Sequence, residues 1–151
     1  MNLDDLRPRS ELLKKLPDGA YEQVASMATV ASFEPGVALF DEDDEATTFY
    51  ILSDGIVALE LISPSREPIT IQTLGVGDLV GISWLFPPYR WNWRASAVGH
   101  VAAAAFDAAA VRQRCTDDPE LKMWVLRVVA EETARRLHNT RVQLLDLYKR
   151  V

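Results

Sequence analysis

Short runs of β-branched and aromatic residues, separated by turn residues, fill the middle of the chain. Between Thr29 and Phe106 these runs are TVASF, VALF, TTFYIL, IVALELI, ITIQTL, RASAV and VAAAAF. Pro35-Gly36 and Asp54-Gly55 stand between such runs, and Asp-Gly between two apolar runs is a strong signal of a β-hairpin. The punctuation predicts many short strands, as in a β-sandwich or a barrel.

Helical patterns flank this β-rich stretch on both sides. Before it, an apolar stripe of leucines ends at Leu16, and Pro17-Asp18-Gly19 separates it from a second short helix. After it, Asp107 is expected to cap a short helix, and Pro119 begins another where its missing N–H costs nothing. We expect a single domain over residues 1–151, with N-terminal helices in 1–28, a β-roll in 29–106 and a short plus a long helix in 107–150.

The last helical segment is unusually long, because the sequence from Glu120 to Lys149 contains no Gly or Pro. A helix of this length would span about 45 Å, more than a domain of this size needs. Apolar and small residues recur along it at steps of three and four. They form one seam: Leu126, Ala130, Ala134, Leu137, Arg141, Leu144 and Tyr148. We predict a homodimer through the helix of residues 120–149; a helix packed only on its own β-roll is the alternative.

The composition is that of an ordinary globular protein. The chain has 151 residues, 48% of them hydrophobic, and one cysteine, so no internal disulfide can form. No stretch resembles a signal peptide or approaches the roughly 18 apolar residues of a membrane helix. We therefore expect a cytoplasmic protein with no membrane partner.

The charge of the chain disfavours nucleic acid as its main partner. The net charge is −6 and the pI is near 4.9, whereas a DNA-binding surface needs clustered Lys and Arg. Arg135, Arg136 and Arg141 on the last helix are the one basic cluster, and such a cluster is more often a solvated face than a phosphate contact. We expect no direct DNA binding.

The usual chemical motifs are missing, so we expect neither catalysis nor a metal site. His100 and His138 are nearly forty residues apart and belong to no His-x-His pair. The acidic run Asp41–Glu45 lacks the Gly and the spaced Glu of a calcium loop and is read as a solvated turn. Cys115 has neither a base nor a second cysteine beside it, which makes it a weak redox candidate.

The order of these elements, together with three motifs, resembles the cyclic-nucleotide-binding domains of the catabolite activator protein (Crp/Fnr-like) type. "FYILSDGIVALELI" (Phe49–Ile62) resembles the family's tyrosine-isoleucine-x-x-x-Gly segment. "LGVGDLVGISWLF" (Leu74–Phe86) resembles the stretch that opens its phosphate-binding cassette, and "TARRLHNT" (Thr133–Thr140) resembles its central helix. The resemblance implies a mainly β, cupin-like jelly-roll with short N-terminal helices and a long C-terminal helix.

The resemblance also implies a ligand site, in which a short helix after the cassette glycine points backbone N–H groups at the cyclic phosphate. Gly81 is in place for this and would aim the amides of Ile82 and Ser83. Ile82, however, stands where the family has the glutamate that accepts a hydrogen bond from the ribose. A ribose hydroxyl buried without an acceptor costs about 1–3 kcal/mol. Binding of cAMP or cGMP, the one ligand class that the resemblance implies, is therefore disfavoured.

The family's phosphate arginine follows that glutamate by some ten residues. "WRASAV" (Trp93–Val98) resembles the strand that carries it, which makes Arg94, with Ala95 beside it, the candidate. The gap from Ile82 is two residues longer than usual, and a one-residue register slip would turn Arg94 outward. Arg90 is a weaker candidate, and Thr140 falls where the family's long helix offers a hydroxyl to the base.

The cassette is also unusually aromatic, which leaves two interpretations open. Its aromatic residues lie close together in sequence: Trp84, Phe86, Tyr89, Trp91 and Trp93. They either form a stacking pocket for a planar or hydrophobic ligand or plug the nucleotide site, and the plug is favoured because large aromatics are more often core.

The function expected from all this is a non-enzymatic regulatory or sensor module with a degenerate phosphate-binding cassette. Relatives that regulate transcription carry a helix-turn-helix after the long helix, whereas this sequence stops at Val151, so we expect its output to pass through an unknown partner protein. A ligand-free scaffold with a closed pocket is the alternative.

Overall fold

The computed structural model describes residues 2–149. Three short helices begin it: α1 at Leu3–Leu6, α2 at Glu11–Lys14 and α3 at Asp18–Ser26, with a 3-10 turn at Arg7–Arg9. The buried hydroxyl of Ser10 accepts a hydrogen bond from the amide of Leu13 and donates one to the carbonyl of Gly77. This cap therefore starts α2 and also ties the N-terminal helices to the loop before the cassette.

Six antiparallel strands follow: β1 at Ala28–Phe33, β2 at Ala38–Phe40, β3 at Thr48–Ser63, β4 at Arg66–Leu74, β5 at Leu79–Val80 and β6 at Arg94–Asp107. They form one sheet in the order β1-β6-β3-β4, with β2 paired to β6 and β5 paired to β3. Helices α4 at Ala108–Asp117 and α5 at Pro119–Lys149 complete the fold. The expectation of a mainly β domain with flanking helices and a long C-terminal helix is confirmed.

The hairpin predicted at Asp54-Gly55 is wrong. Strand β3 continues straight through this dipeptide, and both of its halves pair with β6, as in Leu52 opposite Ala103 and Ile56 opposite Val98. The register shifts on either side of Asp54, and Gly55 has a φ of +87°. A Cβ at Gly55 would overlap the carbonyl of His100, so the glycine serves a bulge and a close strand approach.

The chain forms fewer and longer strands than the runs of residues indicated. RASAV and VAAAAF belong to the single strand β6, in which Gly99 has a φ of +79°. The tight hairpin lies instead between β3 and β4, where Ser63 pairs with Arg66 across Pro64-Ser65.

Two apolar cores hold the molecule together. One lies between the helices and the outer side of the roll and includes Leu13, Trp84 and Leu121; the other fills the roll and includes Leu52 and Val101. Helix α5 contributes buried residues up to Glu132, and beyond that point most of its side chains are exposed. None of the helices within residues 2–149 combines the length and the apolar composition needed to cross a membrane.

Candidate ligand pocket

The segment that corresponds to the phosphate-binding cassette begins at Gly81, directly after β5. Gly81 has a φ of +87°, and a 3-10 turn follows at Ser83–Leu85. The indole N–H of Trp84 donates to the carbonyl of Gly81 at 3.1 Å, and its ring stacks on Phe49 with centroids 3.8 Å apart. Trp84 is 1% exposed, so this tryptophan anchors the cassette in the core and does not reach the pocket.

Trp91 lies directly over the cassette glycine. A Cβ added to Gly81 would overlap the six-membered ring of Trp91. The ring of Phe40 is parallel to the indole, with centroids 3.9 Å apart. The backbone of Trp91 is fixed by hydrogen bonds with Asp43 and Asp44, at 2.9 and 3.1 Å. The indole is only 3% exposed and therefore occupies the space in front of Gly81.

A pocket of about 250 Å³ remains between the cassette and α5. Its apolar lining consists of Phe40, Leu59, Ile82, Trp91, Trp93 and Leu137. Its polar lining consists of Gln72, Ser83, Asn92, Thr133, Arg136 and Thr140, together with Gly81. Four of the six predicted site residues, namely Gly81, Ile82, Ser83 and Thr140, are thus brought together. The hydroxyl of Thr140 donates to the carbonyl of Arg136 at 2.9 Å.

Arg94 and Ala95 do not line this pocket. Ala95 pairs with Leu59, and both are buried inside the roll, whereas Arg94 pairs with Glu60. Successive side chains of a strand point to opposite faces, so Arg94 is directed away from the pocket side of β6. Its Nε lies 3.4 Å from Oδ1 of Asp41 and makes no hydrogen bond within the described residues. The geometry gives Arg94 an ion pair on the other face, and the outward register is the one adopted.

Arg90 also lies outside the pocket. Its guanidinium donates to the carbonyl of Asp43 at 2.8 Å, and its backbone forms a β-bridge with Glu45. Arg90 therefore braces the acidic loop Asp41–Glu45.

Arg136 is the one cation of the pocket lining, and it is neutralised by an acid behind it. Its Nε bonds Oε1 of Glu132 at 3.2 Å, and its Nη2 donates to the carbonyl of Leu79 in β5. Glu132 also accepts from Arg135, which lies 3.6 Å from Asp78. These two acids and two bases balance in charge and join α5 to the strand that enters the cassette.

The buried pair alters the pKa values of both partners. Burial alone would raise the pKa of Glu132, but the hydrogen bond from Arg135 and the charges of both arginines outweigh it and hold that pKa below its ordinary value. Burial lowers the pKa of Arg136, and the carboxylate of Glu132 opposes this change. The expectation of a solvated basic face is therefore wrong for Arg136, whose side chain is 14% exposed.

Sequence reasoning included Trp91 among the aromatic residues expected to plug the site but did not single it out, and it missed the burial of Arg136. Trp91 follows Ile82 by nine residues, close to the spacing at which the resemblance puts the phosphate arginine. An alignment with no insertion between the two positions would therefore have placed Trp91 near the position of that arginine. Arg136 offered no such signal, because its burial depends on how α5 meets β5.

The remaining chemical groups are not gathered into a second centre. Among residues 2–149, no three His, Cys, Asp or Glu side chains are grouped so that they could hold a metal ion. Cys115 is buried, and burial raises the pKa of its thiol, which keeps it protonated at neutral pH.

Comparison with known proteins identifies the family of the domain. The family model described as the cyclic nucleotide-binding domain matches residues 30–118. The chain belongs to the cyclic nucleotide-binding domain family. The resemblance of its motifs to the Crp/Fnr-like type and the expected jelly-roll fold are both confirmed.

Similar proteins include regulators and solved domains of this family. The chain is 26% identical over 145 residues to a CRP-like cAMP-activated global transcriptional regulator of Mycobacterium tuberculosis, covering 96% of this chain and 63% of that protein. The chain therefore spans less than two thirds of that curated relative. A cyclic nucleotide-binding protein of Geobacter metallireducens superposes with a TM-score of 0.79 at 25% identity, covering 91% of this chain and 99% of that one. A cyclic nucleotide-binding domain from Methylobacillus flagellatus superposes with a TM-score of 0.78 at 16% identity, covering 94% of this chain and 80% of that one. It shares the fold.

Proposed function

We propose that this domain is a non-enzymatic regulatory module whose phosphate-binding cassette is closed to cyclic nucleotides by its own Trp91. The observation that carries the proposal is the indole packed against Gly81, the glycine that opens the cassette. Stacking on Phe40 and burial hold the indole there.

The other two contacts implied by the resemblance support the same proposal. Ile82 offers no acceptor for a ribose hydroxyl, and Arg94 is paired with Asp41 on the opposite face of β6. A cyclic nucleotide would have to displace a buried indole and bury its phosphate without Arg94. An unpaired buried charge is far more costly than an unpaired hydroxyl. The cAMP activation named for the Mycobacterium relative is therefore not proposed for this chain.

Titration with cAMP and cGMP, followed by tryptophan fluorescence, tests the proposal. We expect no saturable change up to millimolar nucleotide, and no difference between the wild-type chain and Arg94→Ala. Saturable quenching at micromolar nucleotide that is lost in Arg94→Ala would overturn the proposal, because it would place Arg94 in a phosphate site.

The proposed output passes through α5 and a homodimer. Residues beyond Glu132 on this helix are largely uncovered by the rest of the chain, and they include Leu137, Leu144 and Tyr148 of the predicted seam. A two-helix seam would bury these side chains, and a change at the pocket would reach a partner protein through the helix.

The second candidate function is a ligand-free scaffold. The observation that favours it is the same buried Trp91, because a cassette glycine covered by the chain's own indole needs no effector. The two functions differ in whether the remaining space of about 250 Å³ takes a ligand.

A further inference from the structure

The space that Trp91 leaves open has a defined shape and chemistry. It has about 250 Å³, whereas an apolar cavity of about 150 Å³ is enough to hold benzene. Trp93 lines it and is 39% exposed, although it is a large aromatic side chain. A molecule of one or two fused rings therefore fits the space and would cover the exposed indole.

The charge of the site argues against an anion. No carboxylate lines the pocket, and its one cation, Arg136, is already paired with Glu132 and bonded to the carbonyl of Leu79. A negatively charged ligand would have to be desolvated without an uncompensated positive partner.

Apart from Arg136, the polar groups of the lining are neutral hydrogen-bonding groups. Gln72 and Asn92 each offer an amide donor and an acceptor, and the hydroxyl of Thr140 can also accept. They suit the polar edge of a ring, such as a ring N–H or a carbonyl.

We propose that this pocket binds a small, uncharged, planar aromatic molecule that stacks on Trp93 and turns its polar edge to Gln72 and Thr140. The inference rests on the proposed regulatory function and supplies its effector class. Binding would place a ligand against α5 beside Arg136, at the point where the helix is fixed to β5.

Calorimetric titration of the whole chain tests this with three probes: indole, indole-3-acetate and cAMP. We expect saturable binding of indole, binding of indole-3-acetate that is at least about tenfold weaker (about 1.4 kcal/mol), and no binding of cAMP.

Two substitutions on α5 form a matched pair for the same titration. Leu137→Trp fills the pocket and should abolish indole binding. Leu126→Trp lies three turns earlier on the same side of the helix and outside the pocket, and should leave binding unchanged. If circular dichroism shows that Leu137→Trp does not fold, Ser83→Phe fills the pocket from the cassette side instead.

The outcomes separate this inference from the proposed function. Indole-3-acetate binding as tightly as indole would overturn the uncharged-ligand inference. Absence of binding by all three probes would also overturn it. The closed cassette would then remain, and the ligand-free scaffold would be the function that fits. Micromolar binding of cAMP would overturn the proposed function itself.

Discussion

Trp91 is held from several sides at once, by Phe40 against its ring, by Gly81 beneath it and by backbone hydrogen bonds to the acidic loop. Trp93, two residues later, is partly exposed at the pocket. Trp91 therefore has a structural role, whereas Trp93 is a candidate for ligand binding.

Their substitution should show this difference in stability. Trp91→Ala leaves a cavity in the core and should lower the free energy of unfolding by about 3–5 kcal/mol. Trp93→Ala removes a partly exposed ring and should cost less than about 1.5 kcal/mol. Urea unfolding followed by circular dichroism measures both, and equal losses would contradict the different roles given to the two tryptophans.

Glu132 should make the stability of the domain depend on pH. Because its pKa is held below the ordinary value of 4.5, the stabilisation is fully present above that value and is lost as the pH falls through the lower folded pKa. Glu132→Gln should therefore destabilise the domain at pH 7, by on the order of 3 kcal/mol.

Comparing the two proteins across pH isolates this effect. The difference in unfolding free energy between wild type and Glu132→Gln should shrink as the pH falls from neutrality to below 4.5. A difference that stays constant over this range would show that the carboxylate charge of Glu132 is not stabilised by Arg135 and Arg136.

At the scale of residues, the sequence left the place of Arg94 open between the pocket and an ion pair on the surface. The direction of a strand side chain depends on register, and a slip of one residue reverses it. Gly81, Ile82 and Ser83 were easier to predict because neighbours in sequence remain neighbours in one tight turn.

Among the elements, strand β3 needs a glycine at position 55 in order to pair closely with β6. Gly55→Ala should cost about 1–3 kcal/mol, because its φ is positive and a Cβ would meet the backbone of β6. Gly19 in α3 has nothing within 4 Å of an added Cβ, so Gly19→Ala is the matched control and should be neutral or stabilising. Thermal unfolding of both variants checks this, and an equal effect would contradict the bulge as described.

Helix α5 carries the prediction about assembly. Leu144 is 52% exposed and Tyr148 is 72% exposed on the seam that we propose to be shared by two copies. Leu144→Asp should therefore shift the chain to a monomer in sedimentation equilibrium.

Asn139→Asp introduces the same charge on the other side of α5 and should leave the dimer intact. A wild-type chain that sediments as a monomer at high concentration would contradict the proposed homodimer.

At the scale of elements, helix starts were predicted well and strand continuity was not. Asp107 caps α4 through a local hydrogen bond and Pro119 begins α5, and a sequence displays both signals directly. Asp54-Gly55 has the same local signal in a hairpin and in a bulge, and only the long pairing with β6 distinguishes the two.

For the whole molecule, the change in the period of apolar residues at each boundary predicted helices on both sides of a β-rich centre, and the resemblance of three motifs to a known family implied the jelly-roll. The pocket was less predictable, since Phe40, Trp91 and Arg136 come from three distant parts of the chain. Their meeting depends on the closed roll and on the angle at which α5 crosses it.

The most direct test of the account follows Trp91 itself while cAMP is added. In a proton–nitrogen correlation spectrum, the indole N–H of Trp91 and the amide of Gly81 report on the cassette. Trp124 lies near the start of α5 beside Pro17 and Leu121 and does not line the pocket, so its indole serves as a remote control. We predict that neither cassette signal moves saturably up to millimolar cAMP. A saturable shift of both signals at micromolar cAMP, with Trp124 unmoved, would show that the nucleotide displaces the indole and would contradict the account.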